Sequence, residues 1–433
     1  IIVAAGIIAA PALAAFISPG WVRTRPDLVV LCAELMRIIF PAQLFFVLGG
    51  LFMGTLNAQK HFFWPAMAPI VYDLFIIGGA LVVLHSPETF DLRTIAYALV
   101  AGALCGHVLL QIPPLIARNA RLGRVIDLSD DGVKRVVKLA LPVIFGLAVA
   151  EINYIVIRTF STMVSPDQGP AVMEYANRLW KLPAGIFGAA IAIALFPMLS
   201  EHYAKDDVKG YRRDFSFGMR NTLFLTVPAA LVMGLMPTAV VRLLFERGEF
   251  SAESTTAVSE VMAWFAPGIL ALSVLYIVAR AFYARHDTRT PLVVGIISVG
   301  VCALGSYLLM EPMGLTGLAL SMTVSNFINA GVLMAILKVR VGQLDGNSMA
   351  MSQLRCLPAN IFLALACIIG PGLIATHVGT EGNLAKLLAV VVPLAVGGLG
   401  FVGLAGLLKV PEQSSAWRMV TRRFGGRKSA EVE

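Results

Sequence analysis

At 433 residues, 58% of them hydrophobic and 14% charged, with a mean hydropathy of +0.80, the chain is too apolar for a soluble domain, where about 25% of residues are charged. The net charge of +8 does not call for nucleic acid, because the basic residues gather in alternate connections between apolar runs. Each run can cross a hydrocarbon core of roughly 30 Å as a helix, so the fold class is an all-α polytopic membrane protein.

The first run, 1–19, opens on Ile1 with no initiator Met, no charged n-region and no small-residue cleavage signal, so it reads as a chain cut short rather than a signal peptide. Pro, Gly and charge breaks then set spans at 28–57, 62–84, 93–117, 137–163, 170–200, 216–244, 255–283, 290–310, 314–338, 355–376 and 384–408, twelve in all. The even-numbered connections hold Lys60; Arg118, Arg121, Arg124, Lys134 and Arg135; Lys205, Lys209, Arg212 and Arg213; Arg285 and Arg289; and Arg340. The odd ones hold Arg23, Arg25, Arg247 and little else. With Arg418, Arg422, Arg423, Arg427 and Lys428 in the tail, this asymmetry places the even connections and both ends in the cytoplasm. Five cysteines without CxxC spacing and six histidines without an HExxH cluster predict no metal, cofactor or disulfide framework. The cysteines read as small core residues.

Two cytoplasmic connections resemble each other. "AQKHFFWP" (58–65) and "ARHDTRTP" (284–291) each run from Ala to Pro over the same distance, with a basic or imidazole pair just after the Ala. A basic turn before a Pro-started helix is also ordinary topology chemistry. Read as a repeat, the match implies a six-helix period in two parallel lobes, with the break in the long basic connection. The first lobe then lacks two helices before Ile1.

An ionisable side chain in mid-bilayer costs about 2.5–3.5 kcal/mol on insertion scales and tends to face a bundle interior or a wet cavity. Spans five and six meet at a short outer turn near Asp167, so residues equally far from it lie at similar depth. Glu151 is level with Lys181, and Arg158 with Arg178. The bland reading pairs Glu151 with Lys181 and lets both arginines snorkel outward. The functional reading, favoured for Arg178 because Pro183 loosens the helix below it, is a cationic pocket for an anionic head group, with the guanidinium fork gripping phosphate oxygens. Asp73, in the middle of span three, is a cation or proton site or a hydrogen-bonded structural carboxylate. Asn326 and Asn329 read as interhelical glue, Asn329 also as part of a polar site. Glu34 and Arg37, one turn apart, read as an interfacial pair of little weight.

At these residues the sequence becomes recognisable. "RLWKLPAGIFGAAIAIALFPMLSEH", "ARAFYARHDTRTP" and "GTLNAQKHFFWPAMAP" closely resemble the MurJ/MviN family of lipid II flippases, within the multidrug/oligosaccharidyl-lipid/polysaccharide exporter superfamily. The resemblance runs the whole length and implies fourteen helices: two six-helix lobes around a central cavity, then two that form a groove for the lipid tail. The present spans would be helices three to fourteen. The expected layout is a first lobe over 1–117 with four of its six helices, a cytoplasmic connection over 118–135, a second lobe over 136–340, the two extra helices over 341–410, and a basic cytoplasmic tail over 411–433.

The resemblance implies that Arg178 contacts the substrate diphosphate; the depth reading sets Lys181, Arg158 and Glu151 beside it as further substrate-binding residues. The resemblance also implies a bacterial cytoplasmic-membrane monomer that moves lipid II between leaflets by alternating access among membrane lipids, coupled to an ion or to the membrane potential. Members often carry acidic residues near this arginine; here Asn177 and Lys181 stand there instead. Three alternatives stay open: an exporter of another polyprenyl-linked glycan, a drug or cation antiporter, and an inactive remnant lacking its first helices. A membrane enzyme would need larger outer loops to build a catalytic surface, and a major-facilitator carrier would show a Gly-Asp-Arg-Gly-Arg type loop that this sequence lacks.

Overall fold

A computed structural model describes residues 2–118, 130–379 and 382–413, and over 135–150 the backbone alone. Arg121, Arg124 and the five basic tail residues, on which part of the charge asymmetry rests, lie outside the described residues, as does the side chain of Arg135. Among the described residues every regular element is helical. Among the described residues, eight helices are long and apolar enough to cross a membrane, or nine if one bent pair counts as a single span. The chain divides into two compact units, Ile1–Lys134 and Arg135–Glu433.

In the first unit the spans appear as α1 (Ile2–Ile17), the short α2 (Pro19–Thr24), α3 (Pro26–Ile39), α4 (Ala42–Ala58), α5 (Phe63–His85) and α6 (Leu92–Gly102). Pro41 interrupts what hydropathy reads as one span, dividing α3 from α4. After α6 come a π-helical turn, Ala103–Val108, a 3₁₀ turn and α7 (Ile112–Ile116). Small residues let α5 approach this stretch. A Cβ on Gly106 would sit 2.6 Å from the Ala68 carbonyl, and one on Gly102 2.9 Å from that of Tyr72. Glu34 does not pair with Arg37: it accepts from Arg93 Nη2 on α6 at 2.6 Å, because that guanidinium, steadied by Asp91 at the α6 N-cap, reaches it across the helix pair.

The second unit runs α8 (Asp131–Val164), α9 (Gly169–Pro183), a π-helical turn over Ala184–Ala189, α10 (Ala190–Ala204), α11 (Val208–Leu235), α12 (Pro237–Phe245), α13 (Ala252–Phe265) and α14 (Gly268–Ala284). Then follow α15 (Arg289–Val341), α16 (Gly346–Val378) and α17 (Asn383–Leu407). Helices α13 and α14 are bent by 47° and correspond to one expected span. Helix α15 corresponds to two. It breaks at Gly314, φ 60°, and doubles back so that Ser298 and Ser325 exchange hydrogen bonds at 2.6 and 2.7 Å. Gly317 then lies against the Leu309 backbone, too close for a side chain.

Two large cores and two smaller ones lie among the described residues of this unit. Of the large ones, one gathers Ile157, Met173, Leu179, Trp180, Met262 and Phe265; the other gathers Leu195, Leu199, Phe215, Val278 and Phe282. Helices α16 and α17 pack on each other and on α11 and α12. Glu246 ties α17 to α12 and α13: its carboxylate meets Arg242 Nε and Lys386 Nζ, each at 3.2 Å, and the Thr255 hydroxyl at 2.8 Å. Cys302, Cys356 and Cys367 are buried, and Cys32 and Cys105 half-buried.

The two connections that resemble each other in sequence also share a backbone. Each preceding helix ends in a Schellman pattern: His61 N–H to the Leu56 carbonyl and Lys60 N–H to that of Asn57, against Asp287 to Phe282 and His286 to Tyr283. The left-handed residue is not glycine in either, but Lys60 (φ 60°) and His286 (φ 58°). Helices α10 and α17 end the same way at Asp206 and Lys409.

Beyond the α10 end, the Asp207 side chain caps α11, accepting from Gly210 N–H at 2.9 Å, while the His202 ring reaches Asp207 and Asp214, each at 2.9 Å. The Gly210 amide, with further help from His202, holds the Asp207 carboxyl below the usual carboxylate range. A folded-state value lowered in this way stabilises the fold above the unfolded value, about 3.9, and that stabilisation is lost as the pH falls through the folded value. The protection factor of the Gly210 amide is therefore expected to hold from neutral pH to about 5 and to fall below about 3.5. Unchanged protection at the acid end would show that the cap does not depend on the charged carboxylate.

Candidate functional site

The charged cluster sits on the α8–α9 hairpin. Its turn is tight because Gly169 lies against the Ser161 carbonyl, where no Cβ fits. Helix α9 buries Val172, Met173, Ala176, Leu179 and Trp180. Trp180 stacks on Phe265 with ring centroids 5.4 Å apart and planes within 6°, and donates its indole N–H to Asn177 at 3.0 Å. This packing fixes the rotation of α9. Glu174 and Arg178, four residues apart, consequently share the opposite, open face.

Tyr154 of α8 organises what meets there. It is 8% exposed; its hydroxyl donates to Glu174 Oε2, and Lys181 Nζ stands 5.2 Å from the centre of its ring. Glu174 Oε1 accepts from Arg178 Nε at 3.0 Å. Arg158 and Arg178 are both near enough to act electrostatically on Tyr154 and Glu174. Arg178 is therefore held by Nε alone. Its side chain is 68% exposed, and its terminal amino groups have no hydrogen-bond partner among the described residues. A guanidinium anchored at Nε with its Nη edge open can grip two oxygens of a phosphate or carboxylate at once.

The helix is altered just below the cluster. Pro183 lacks the N–H that would continue the α-helical ladder, and the backbone passes into the π-helical turn over Ala184–Ala189.

The structure brings Arg158, Arg178 and Lys181 together around Tyr154 but gives Glu151 a different neighbour. No ion pair joins Glu151 to Lys181 or Arg178 among the described residues; it acts instead on Tyr276 of α14. The reason is competition, since Lys181 lies over the Tyr154 ring and Glu174 already engages Arg178. The expectation that Asn177 and Lys181 leave Arg178 without an acidic neighbour is likewise corrected by Glu174, one turn earlier on the same helix. Sequence reading missed both Glu174 and Tyr154. The signal for Glu174 was present, a carboxylate four residues N-terminal to an arginine.

Asp73 belongs to the first unit, exposed on α5, with no hydrogen bond or ion pair among the described residues. Its neighbour Tyr72 packs edge-on against Phe46 and His107. Asn326 and Asn329 are buried on α15, yet Asn326 Nδ2 and Asn329 Oδ1 have no hydrogen-bond partner among the described residues. The hydrogen bonds that glue the two arms of α15 come from Ser298 and Ser325.

Residues 1–389 match the family model described as lipid II flippase MurJ. A probable lipid II flippase MurJ of Rhizobium tropici is 31% identical over 319 residues, covering 72% of this chain and 58% of that protein. The lipid II flippase MurJ of Burkholderia cenocepacia is 31% identical over 324 residues, covering 72% and 60%. The chain thus spans less than two thirds of the length of these relatives. Among solved structures, a lipid II flippase MurJ in an inward closed conformation aligns over 93% of this chain and 80% of its own, at 19% identity and a TM-score of 0.67. An inward-facing multidrug transporter of the MATE family aligns over 79% and 81%, at 15% identity and a TM-score of 0.62. These structural likenesses show the fold, an all-helical polytopic membrane architecture. With the family model matched over residues 1–389, this chain belongs to the lipid II flippase MurJ family.

Proposed function

We propose that this protein transfers lipid II, the polyprenyl-diphosphate-linked peptidoglycan precursor, from the inner to the outer leaflet of a bacterial cytoplasmic membrane. The observation that carries the reading is Arg178, tied at Nε to Glu174 and open along its Nη edge. Such a fork suits the oxygens of a diphosphate. Arg158 and Lys181 add charge beside it, so that cations outnumber carboxylates around Tyr154. That balance disfavours the export of a cationic drug. The names of the relatives supply the substrate, and the carrier role requires no bond-making chemistry of the protein.

The layout we propose with it is a first lobe over 1–117, a cytoplasmic connection over 118–135, a second lobe over 136–340, and a lipid-tail pair over 341–410. The 118–135 connection and the basic tail over 411–433 face the cytoplasm. The apolar faces of α16 and α17, including Leu365, Ile369, Leu373, Leu394 and Leu399, are exposed and suit a polyprenyl tail.

Depletion of the protein in the source organism tests the function. Lipid II should accumulate on the inner leaflet while its exposure on the outer leaflet, read by an externally added cleaving enzyme, falls at least about tenfold. Undiminished outer exposure, with no second flippase present, would end the assignment.

A further inference from the structure

We infer that Glu174, steadied by Tyr154, is a resident counter-anion of Arg178 that opposes a diphosphate bound along the open Nη edge, and so a residue that sets the balance between gripping and releasing the head group. This rests on the reading of Arg178 as the diphosphate contact and adds a role to its neighbours. The geometry sets this carboxylate beside the open edge without occupying it. Glu174 engages Arg178 through Nε at 3.0 Å, while the carboxylate is itself half-exposed and shared with the Tyr154 hydroxyl. An arriving diphosphate meets three cations, Arg158, Arg178 and Lys181, but also this negative charge at contact distance from one of them. Like charges placed this close oppose each other even beside solvent. The carboxylate, held at Nε, therefore weakens the grip of the Nη edge and favours release of the head group.

Tyr154 tunes this opposition. By donating to Glu174 it takes up part of the carboxylate's negative charge, and its ring keeps Lys181 nearby. Loss of the hydroxyl leaves Glu174 with Arg178 as its sole hydrogen-bond donor of the two, which tightens the internal pair against the substrate. Glu174 and Tyr154 are thus positioning residues, with opposite expected effects on binding.

The test uses the purified full chain in detergent micelles with undecaprenyl diphosphate as probe, beside an outer-leaflet lipid II exposure assay in cells. Glu174→Gln is expected to bind the probe about tenfold more tightly and to transfer lipid II more slowly, a split between affinity and turnover that a merely structural role would not give. Glu174→Asp should restore both towards wild type, and Tyr154→Phe should weaken binding about two- to threefold. Equal or weaker binding by a correctly folded Glu174→Gln protein overturns the inference, as does tighter binding by Tyr154→Phe. Arg178→Ala separates the two levels. If it leaves probe affinity unchanged, the reading of Arg178 as the diphosphate contact fails; if it weakens binding while Glu174→Gln does not tighten it, only the counter-anion role fails.

Discussion

Under the proposed function, replacing Arg178 with alanine is expected to stop lipid II transfer while leaving the protein inserted and folded. The side chain contributes little to the core: 68% of it is exposed, and its one ion pair, with Glu174, is itself open to solvent. Exposed pairs of this kind are worth about 0–1 kcal/mol, so folding should survive the change. Binding should not. A charge-assisted hydrogen bond contributes about 1.5–3 kcal/mol, so loss of a two-pronged grip weakens diphosphate binding by at least about a hundredfold. Arg178→Lys keeps the charge but loses the planar fork, and its transfer rate should lie between the two. The measurement is outer-leaflet lipid II in cells carrying each allele, with membrane levels of the protein checked by blotting. Wild-type exposure from a correctly inserted Arg178→Ala protein would remove the residue from the substrate path.

Trp180→Ala should produce the largest loss of stability. The indole is 1% exposed, stacked on Phe265 and hydrogen-bonded to Asn177, and it occupies the centre of the core that joins α9 to α13 and α15. Truncation leaves a cavity and strands the Asn177 carbonyl oxygen in a buried position. Large-to-small changes of this kind cost about 3–5 kcal/mol in soluble cores. Within a membrane the loss falls mainly on packing and the hydrogen bond, because lipid is as apolar as the interior. Trp180→Phe keeps a ring against Phe265 and should lose less than half as much. Thermal unfolding of the purified variants, followed by fluorescence-detected gel filtration, measures the difference. A midpoint for Trp180→Ala within about 2 °C of wild type would show that α9 is held from elsewhere.

The helices were legible because hydropathy and Pro or Gly breaks act locally. Even the doubled span in α15 was visible, since "EPMG" at 311–314 ends one apolar run and begins the next. The cations of the site were legible for the same reason: Arg158, Arg178 and Lys181 stand out in apolar surroundings. Their partners were not. Tyr154 in an apolar run looks like packing, and only the rotation imposed by Trp180 on Phe265 turns Glu174 and Arg178 towards it. Level counting set Glu151 opposite Lys181 by depth alone, whereas pairing also depends on which way each helix face turns and on what already occupies the cation. The Glu34 error has the same origin. A turn-spaced Arg37 lost to Arg93 from a neighbouring helix, which no local pattern announces.

The π-helical turn over Ala184–Ala189 has a consequence for insertion and deletion. A π turn is in effect one residue added to an α-helix, and each added residue rotates everything after it by about 100°. Above the turn, Leu179 and Trp180 face one core; below it, Leu195 and Leu199 face another. The added residue brings both halves into phase with their separate cores. Deleting Gly185 would restore a regular ladder and yet misdirect one half. If the upper half kept its stacking on Phe265, Leu195 and Leu199 would turn out of their core; if the lower half kept its packing, Arg178 would swing away from Tyr154. The length of this one turn thus fixes the direction in which the open guanidinium points.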